Sequence, residues 1–110
     1  MIKTFEEYQQ STPEFASYPK EKALEYCILG LAGESGETAG KYSKVIRDDN
    51  CTLTPERREE LIKELGDVLW FCSQTANELG VGLDEIATIN IHKLKDRKAR
   101  NVLRGSGDTR

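Results

Sequence analysis

The sequence predicts an all-α domain. Prolines fall only at positions 13, 19 and 55, which leaves the stretches 20–54 and 56–110 without a helix breaker of that kind. Within both stretches apolar residues recur at intervals of three and four, the helical period, and no segment alternates apolar and polar residues as a half-buried strand does. The expected architecture is four-helix bundle-like, with two long antiparallel helices and two shorter ones.

Each element has its own signal. Thr4 followed by Glu7 is a capping-box pattern and starts a short helix from Phe5 to about Ser11. Ser11 to Lys20 holds two prolines and reads as a loop with turns. Leu24, Cys27, Ile28, Leu31, Ala32, Ala39, Tyr42, Val45 and Ile46 then mark about six turns of helix, ending before the polar cluster Asp48-Asp49-Asn50. Thr54-Pro55 is an N-cap followed by proline at the first helical position. The third helix carries Leu61, Leu65, Val68, Leu69, Cys72, Ala76 and Leu79 and stops near Gly80. After Gly80-Val81-Gly82, a fourth helix places Leu83, Ile86, Ile89 and Leu94 on one face and reaches about Val102. The long pair, joined by a loop of about six residues, is expected to pack antiparallel. A single domain over 1–103 and a flexible C-terminal tail over 104–110 complete the expectation.

Composition excludes several classes. Of the 110 residues, 32% are charged and 37% hydrophobic, with nine glycines, an ordinary globular balance. No apolar run is long enough to span a bilayer, and the first ten residues lack the apolar core of a secretory signal, so no membrane partner is expected. The net charge of −3 is a poor match to duplex nucleic acid, whose binding runs on basic residues. Cys27, Cys51 and Cys72 are odd in number and form no CxxC, which points to reduced structural thiols in a cytoplasmic protein.

Two acidic pairs stand out: Glu34 and Glu37 in GLAGESGE, and Glu64 and Asp67 in KELGDVLW. Acids three apart share a helix face. One such pair is usually a solvated surface. Here each is embedded in an apolar stretch, unlike Glu59 and Glu60, whose neighbours are charged. If the two long helices are antiparallel neighbours, four carboxylates converge, and only hard cations between them would relieve the repulsion. Oxygen-only ligands suit Mg²⁺, with Mn²⁺ as a substitute, and Mg²⁺ usually shares its shell with substrate phosphates. Gly30, Gly33, Gly36, Gly40 and Gly66 crowd the same helices, each at about 1 kcal/mol against alanine, which suggests close approach of backbone or ligand. No strand precedes them and no GKS or GKT occurs, so they do not form a phosphate loop. Asn90, Lys93 and Arg97 share a face of the fourth helix and form a cationic stripe that suits phosphate oxygens; a solvated basic face is the competing reading. Lys41 and Lys44 follow Glu37 by four and seven residues and carry the same ambiguity. Trp70 and Phe71 could stack on a base, although packing between the long helices is the simpler role. His92 is the sole histidine, which removes histidine-based hydrolysis and Glu-x-x-His dimetal chemistry.

LGLAGESGE, then KELGDVLW, then NIHKLKDR resembles the MazG-like nucleotide pyrophosphohydrolases of the all-α NTP pyrophosphohydrolase superfamily. The similarity runs from about Thr4 to Asn101, with ExxE and ExxD separated by the 26 residues 38–63. It implies Mg²⁺-dependent hydrolysis of a (d)NTP between the α and β phosphates, giving a monophosphate and pyrophosphate, in nucleotide-pool house-cleaning. It implies Glu34, Glu37, Glu64 and Asp67 as catalytic metal ligands. Lys93 and Arg97 would touch phosphates, and Asn90 would hold the nucleotide or the metal shell. Lys44 and Phe71 complete the expected substrate-binding set. The family also forms homodimers, or tetramers built from dimers. A non-catalytic helical module, binding nucleotide or metal and serving dimerisation, is the alternative. Without the four acids the chain carries fifteen acids against sixteen bases, so its acidity is no larger than that of the expected metal site.

Overall fold

In the computed structural model, all 110 residues are described and no strand is present. The helices are α1 (Phe5–Ser11), α2 (Ala23–Asp48), α3 (Pro55–Leu79) and α4 (Leu83–Ala99), with 3₁₀ turns at Thr12–Phe15 and Lys20–Lys22. The all-α prediction holds. Two boundaries differ from those read in the sequence. α2 runs one residue into the polar cluster, to Asp48, and α4 stops at Ala99, because Asn101 turns left-handed at φ 58°.

The caps explain the other boundaries. Thr4 accepts the Glu7 backbone N–H at 3.0 Å, while the Glu7 carboxylate reaches back to the Lys3 N–H at 3.0 Å, one residue earlier than a standard capping box. Thr54 caps α3 through the Arg57 N–H at 3.2 Å. Gly80 ends α3 at φ 70°, with its own N–H on Asn77 and the Val81 N–H on Ala76, the paired bonds of a Schellman turn. Between α2 and α3, Asn50 and Cys51 both take positive φ. Arg57 ties that turn down, donating to Asp49 at 2.7 Å and Glu60 at 3.1 Å, with Asp48 at 3.8 Å.

α2 and α3 form the spine. The less exposed positions of α2 include Leu24, Cys27, Leu31, Glu34, Thr38, Lys41 and Val45, and those of α3 include Arg57, Leu61, Glu64, Val68, Phe71 and Thr75. Both sets advance by alternating steps of three and four, a heptad seam. Contacts along it run in opposite directions: Phe71 lies over Gly30, Glu64 and Asp67 lie opposite Glu34, and Arg57 meets Asp49. The helices are therefore antiparallel. Gly30 is required here, because a Cβ would enter the Phe71 ring. Open space surrounds Gly33, Gly36, Gly40 and Gly66, so close approach within the chain accounts for only one of the five glycines.

α1 and α4 attach at the far end of α3, and α4 makes no contact with α2. The joint is polar. The Gln9 amide donates to Asn77 Oδ1 at 2.9 Å and to the Val81 carbonyl at 2.8 Å, and its oxygen accepts the Leu83 N–H at 2.8 Å. Buried Thr12 bonds to Ser73 at 2.8 Å and Gln74 at 2.7 Å. The Trp70 indole N–H donates to the Thr12 carbonyl at 3.2 Å. Trp70 thus faces the 3₁₀ turn, while Phe71 alone takes the place between the long helices expected for either ring.

The result is open. The radius of gyration is 16.7 Å, against about 13 Å for a compact chain of this length. Nine residues are buried, and Leu29, Ile46, Leu65, Ile89 and other large apolar side chains are more than half exposed. Gly30→Ala is expected to destabilise the protein by about 1–3 kcal/mol through overpacking against Phe71. Gly36→Ala, in open space, is expected to stabilise it by about 0.5–1 kcal/mol through helix propensity. Urea denaturation of both variants reads the two signs.

Candidate functional site

The acids meet at the middle of the α2–α3 seam. Carboxylate oxygens of Glu34, Glu64 and Asp67 all lie within 4.8 Å of one another. Glu34 and Glu64 are half-buried seam residues, and Asp67, one turn further along α3, is exposed. Glu37, one turn beyond Glu34, is exposed and its carboxylate stays outside this group, although its charge still acts on Glu34. Burial raises the Glu34 carboxyl above its ordinary value, and the charges of Asp67, Glu64 and Glu37 raise it further. No ion pair with lysine or arginine relieves any of the four.

Such a donor set fits a hard divalent cation. Oxygens sharing an octahedral Mg²⁺ at about 2.1 Å lie about 3–4 Å apart, so side-chain rotations of small extent would bring these three together. Nitrogen and sulfur donors are absent from the group, which disfavours zinc. Residues 2–5 and Tyr8, with Leu69 of α3, line an open groove of about 670 Å³. The Tyr8 phenol is raised above its ordinary pKa by burial and by the nearby charge of Asp67, which places the groove next to the acids.

The other residues expected in the site are distributed differently. Lys44 is half-buried near the end of α2, where Asp48 feels its charge. Phe71 packs over Gly30 and edge-on against Trp70, with ring centroids 5.0 Å apart. Asn90 is exposed on α4. Lys93 and Arg97 are engaged with Asp108 at 3.0 and 2.9 Å rather than with the acids. The three cysteines are free, as expected, but only Cys27 is buried; Cys51 is exposed on the α2–α3 turn.

The polar cluster behind the site was not foreseen. Thr12, Ser73 and Gln74 are buried, and every buried side-chain polar atom has a partner. Gln74 also donates to the Tyr18 hydroxyl at 2.7 Å, and burial followed by a hydrogen bond with Cys27 pushes that phenol up to about 12. The signal in the sequence was the run Ser73-Gln74 inside an apolar helical stretch, where polar residues call for partners.

A family profile, the MazG nucleotide pyrophosphohydrolase domain, matches residues 22–102. The chain belongs to that family. The match takes in all of α2, α3 and α4, and with them both acidic pairs of this MazG-family chain. Gene 37 protein of Mycobacterium phage L5 is 42% identical over 109 residues, covering 94% of this chain and 96% of its own length. No solved structure matches.

Glu34 gives a test by pH. Its carboxyl is raised in the folded state, so the native protein holds that proton more tightly than the unfolded chain does. This contribution favours the metal-free fold below the ordinary carboxyl value and is lost as pH rises from there through the raised value. At neutral pH without divalent ions, Glu34→Gln is expected to raise Tm by ~2–4 °C, the size of a fraction of a kcal/mol. Millimolar Mg²⁺ should then raise the parent's Tm more than the variant's. Differential scanning fluorimetry with and without Mg²⁺ measures both.

Proposed function

We propose that this chain is a Mg²⁺-dependent nucleoside triphosphate pyrophosphohydrolase that cleaves (d)NTPs between the α and β phosphates, releasing a monophosphate and pyrophosphate. The observation that carries this reading is the convergence of Glu34, Glu64 and Asp67 in the seam of a MazG-family chain. A house-cleaning role in the nucleotide pool follows as the biological assignment.

Glu34, Glu64 and Asp67 would hold the ion, with Glu37 joining from the flank. When bound, Mg²⁺ would acidify a water and neutralise charge developing on the phosphoryl oxygens. The half-buried carboxylates of Glu34 and Glu64 would hold the ion from the seam, and exposed Asp67 would hold it from the solvent side, open to a triphosphate. The adjoining groove of Ile2, Phe5, Tyr8 and Leu69 has the volume and apolar walls for a nucleoside. Lys93 and Arg97 would bind phosphate oxygens, Arg97 as a forked donor and Lys93 as a point charge, with Asn90 beside them. Lys44 and Phe71 would line the rim and floor of the site.

The working unit we propose is a homodimer, or a tetramer of such dimers. Exposed Leu29 and Ile46 on α2 and Ile89 on α4 would be covered by a second copy. That packing would bring a cationic α4 stripe to the rim of the acid group. The setting is cytoplasmic, and the substrates are free nucleotides rather than nucleic acid. No helix is long and apolar enough to cross a membrane.

Incubation with a panel of dNTPs and Mg²⁺ is expected to yield pyrophosphate with monophosphate. Orthophosphate as the first product, or no product from any nucleotide, would overturn the reading. Asp67→Asn and Glu37→Gln should each lower kcat by about 10²-fold or more while circular dichroism stays helical. Sedimentation velocity is expected to show a dimer or larger, and a monomer at every concentration would refute the assembly.

A further inference from the structure

The cationic stripe of α4 already holds an anion. Lys93 Nζ and Arg97 Nη2 donate to the same oxygen, Asp108 Oδ1, at 3.0 and 2.9 Å, and Arg97 also reaches the Gly107 carbonyl at 3.4 Å. Two cations on one anionic oxygen is the arrangement in which a lysine and an arginine grip a phosphoryl oxygen. The burial is lopsided. Arg97 is 5% exposed, while the Asp108 side chain is 79% exposed. The guanidinium is thus fixed in the fold, and its single charged partner stands on the outside in water.

The chain reaches this position by doubling back on α4. Asn101, Gly105 and Gly107 take positive φ of 58°, 137° and 80°, and the Val102 N–H donates to the Arg97 carbonyl at 2.8 Å. The Arg110 guanidinium donates to the Val102 and Leu103 carbonyls, each at 3.2 Å, and Arg100 donates to the Arg110 carbonyl at 2.6 Å. No large apolar side chain of residues 104–110 anchors the segment, since none occurs there. Exposed polar bonds of this kind compete with water and salt and are individually weak.

We propose that residues 104–110 form a displaceable latch, in which the Asp108 carboxylate occupies the Lys93–Arg97 anion site and competes with the phosphate of an incoming substrate. The latch rests on the reading above that Lys93 and Arg97 hold phosphate. Catalysis at the acid group is untouched by it; the segment sets the concentration at which polyphosphate gains the stripe.

The test uses the full chain and inorganic tripolyphosphate, titrated calorimetrically at low salt without divalent ions, together with steady-state kinetics. Asp108→Asn is expected to bind tripolyphosphate about fivefold more tightly than the parent, the size of one exposed ion pair, and to lower KM by a similar factor with kcat unchanged. In a Lys93→Gln background that gain should shrink to less than about twofold, because the shared site is already impaired. Unchanged affinity in Asp108→Asn overturns the latch, and if Lys93→Gln still weakens binding, the phosphate reading survives it. Full persistence of the gain in the Lys93→Gln background assigns it to net charge and also overturns the latch. If Lys93→Gln has no effect on tripolyphosphate binding even when Asp108 is Asn, the phosphate reading fails and the latch fails with it.

Discussion

Glu34 and Glu64 occupy seam positions between α2 and α3 that heptad packing normally reserves for apolar side chains. Three or four residues away the seam is filled by Leu31 on α2 and by Leu61 and Val68 on α3. Half-buried carboxylates facing one another oppose helix pairing through lost solvation and mutual repulsion, the two causes that raise the Glu34 carboxyl. The helix pair tolerates them because both ends of the seam are secured independently. Phe71 against Gly30, with buried Cys27, closes one end; buried Val45 and the Arg57 ion pairs close the other. Held from both sides, the central acids have no freedom to splay apart. A hard cation between the three carboxylates would relieve that opposition, and the donor set fits one.

The same design leaves much of the molecule's apolar surface outside. α4 reaches α1 and the end of α3 but never α2, so the faces carrying Leu29, Ile46 and Ile89 have no cover within the chain. Beside buried Ala76 and Leu83, the joint of α1, α3 and α4 is held by polar side chains, Gln9, Thr12, Ser73, Gln74 and Asn77, all hydrogen-bonded. Directional bonds fix the angle of a joint better than interchangeable apolar contacts do. The chain therefore presents well-oriented but uncovered helices.

The long helices were legible in the sequence because their signals are local: caps at Thr4 and Thr54, the stop at Gly80, and apolar spacing between them. The acidic pairs were legible for the same reason, since three-residue spacing on two helices expected to be antiparallel leaves few arrangements. What the sequence concealed depends on distant contacts. Nothing local distinguishes Gly30, which accommodates Phe71, from Gly36, which faces open space. Trp70 and Phe71 are adjacent, and only the tertiary packing sends one to the 3₁₀ turn and the other into the seam. Arg97 reads as one of several basic residues on α4, and its bonds to Gly107 and Asp108 come from a segment ten and eleven residues further on. Polar Thr12 looked like part of a loop, although it lies at the centre of the buried cluster.

The Gln9 side chain gives the fold a boundary that the family profile does not draw. The family match begins at residue 22, yet this one amide bridges Asn77, Val81 and Leu83, the turn from which α4 departs. Thr12, whose carbonyl accepts the Trp70 indole N–H, lies upstream of the match as well. The direction of α4 is thereby set by a segment that the shared motif does not include. Two chains alike over the matched helices but different in their first twenty residues would aim α4 differently, and evolution could retune the reach of its cations without altering a single acid of the site.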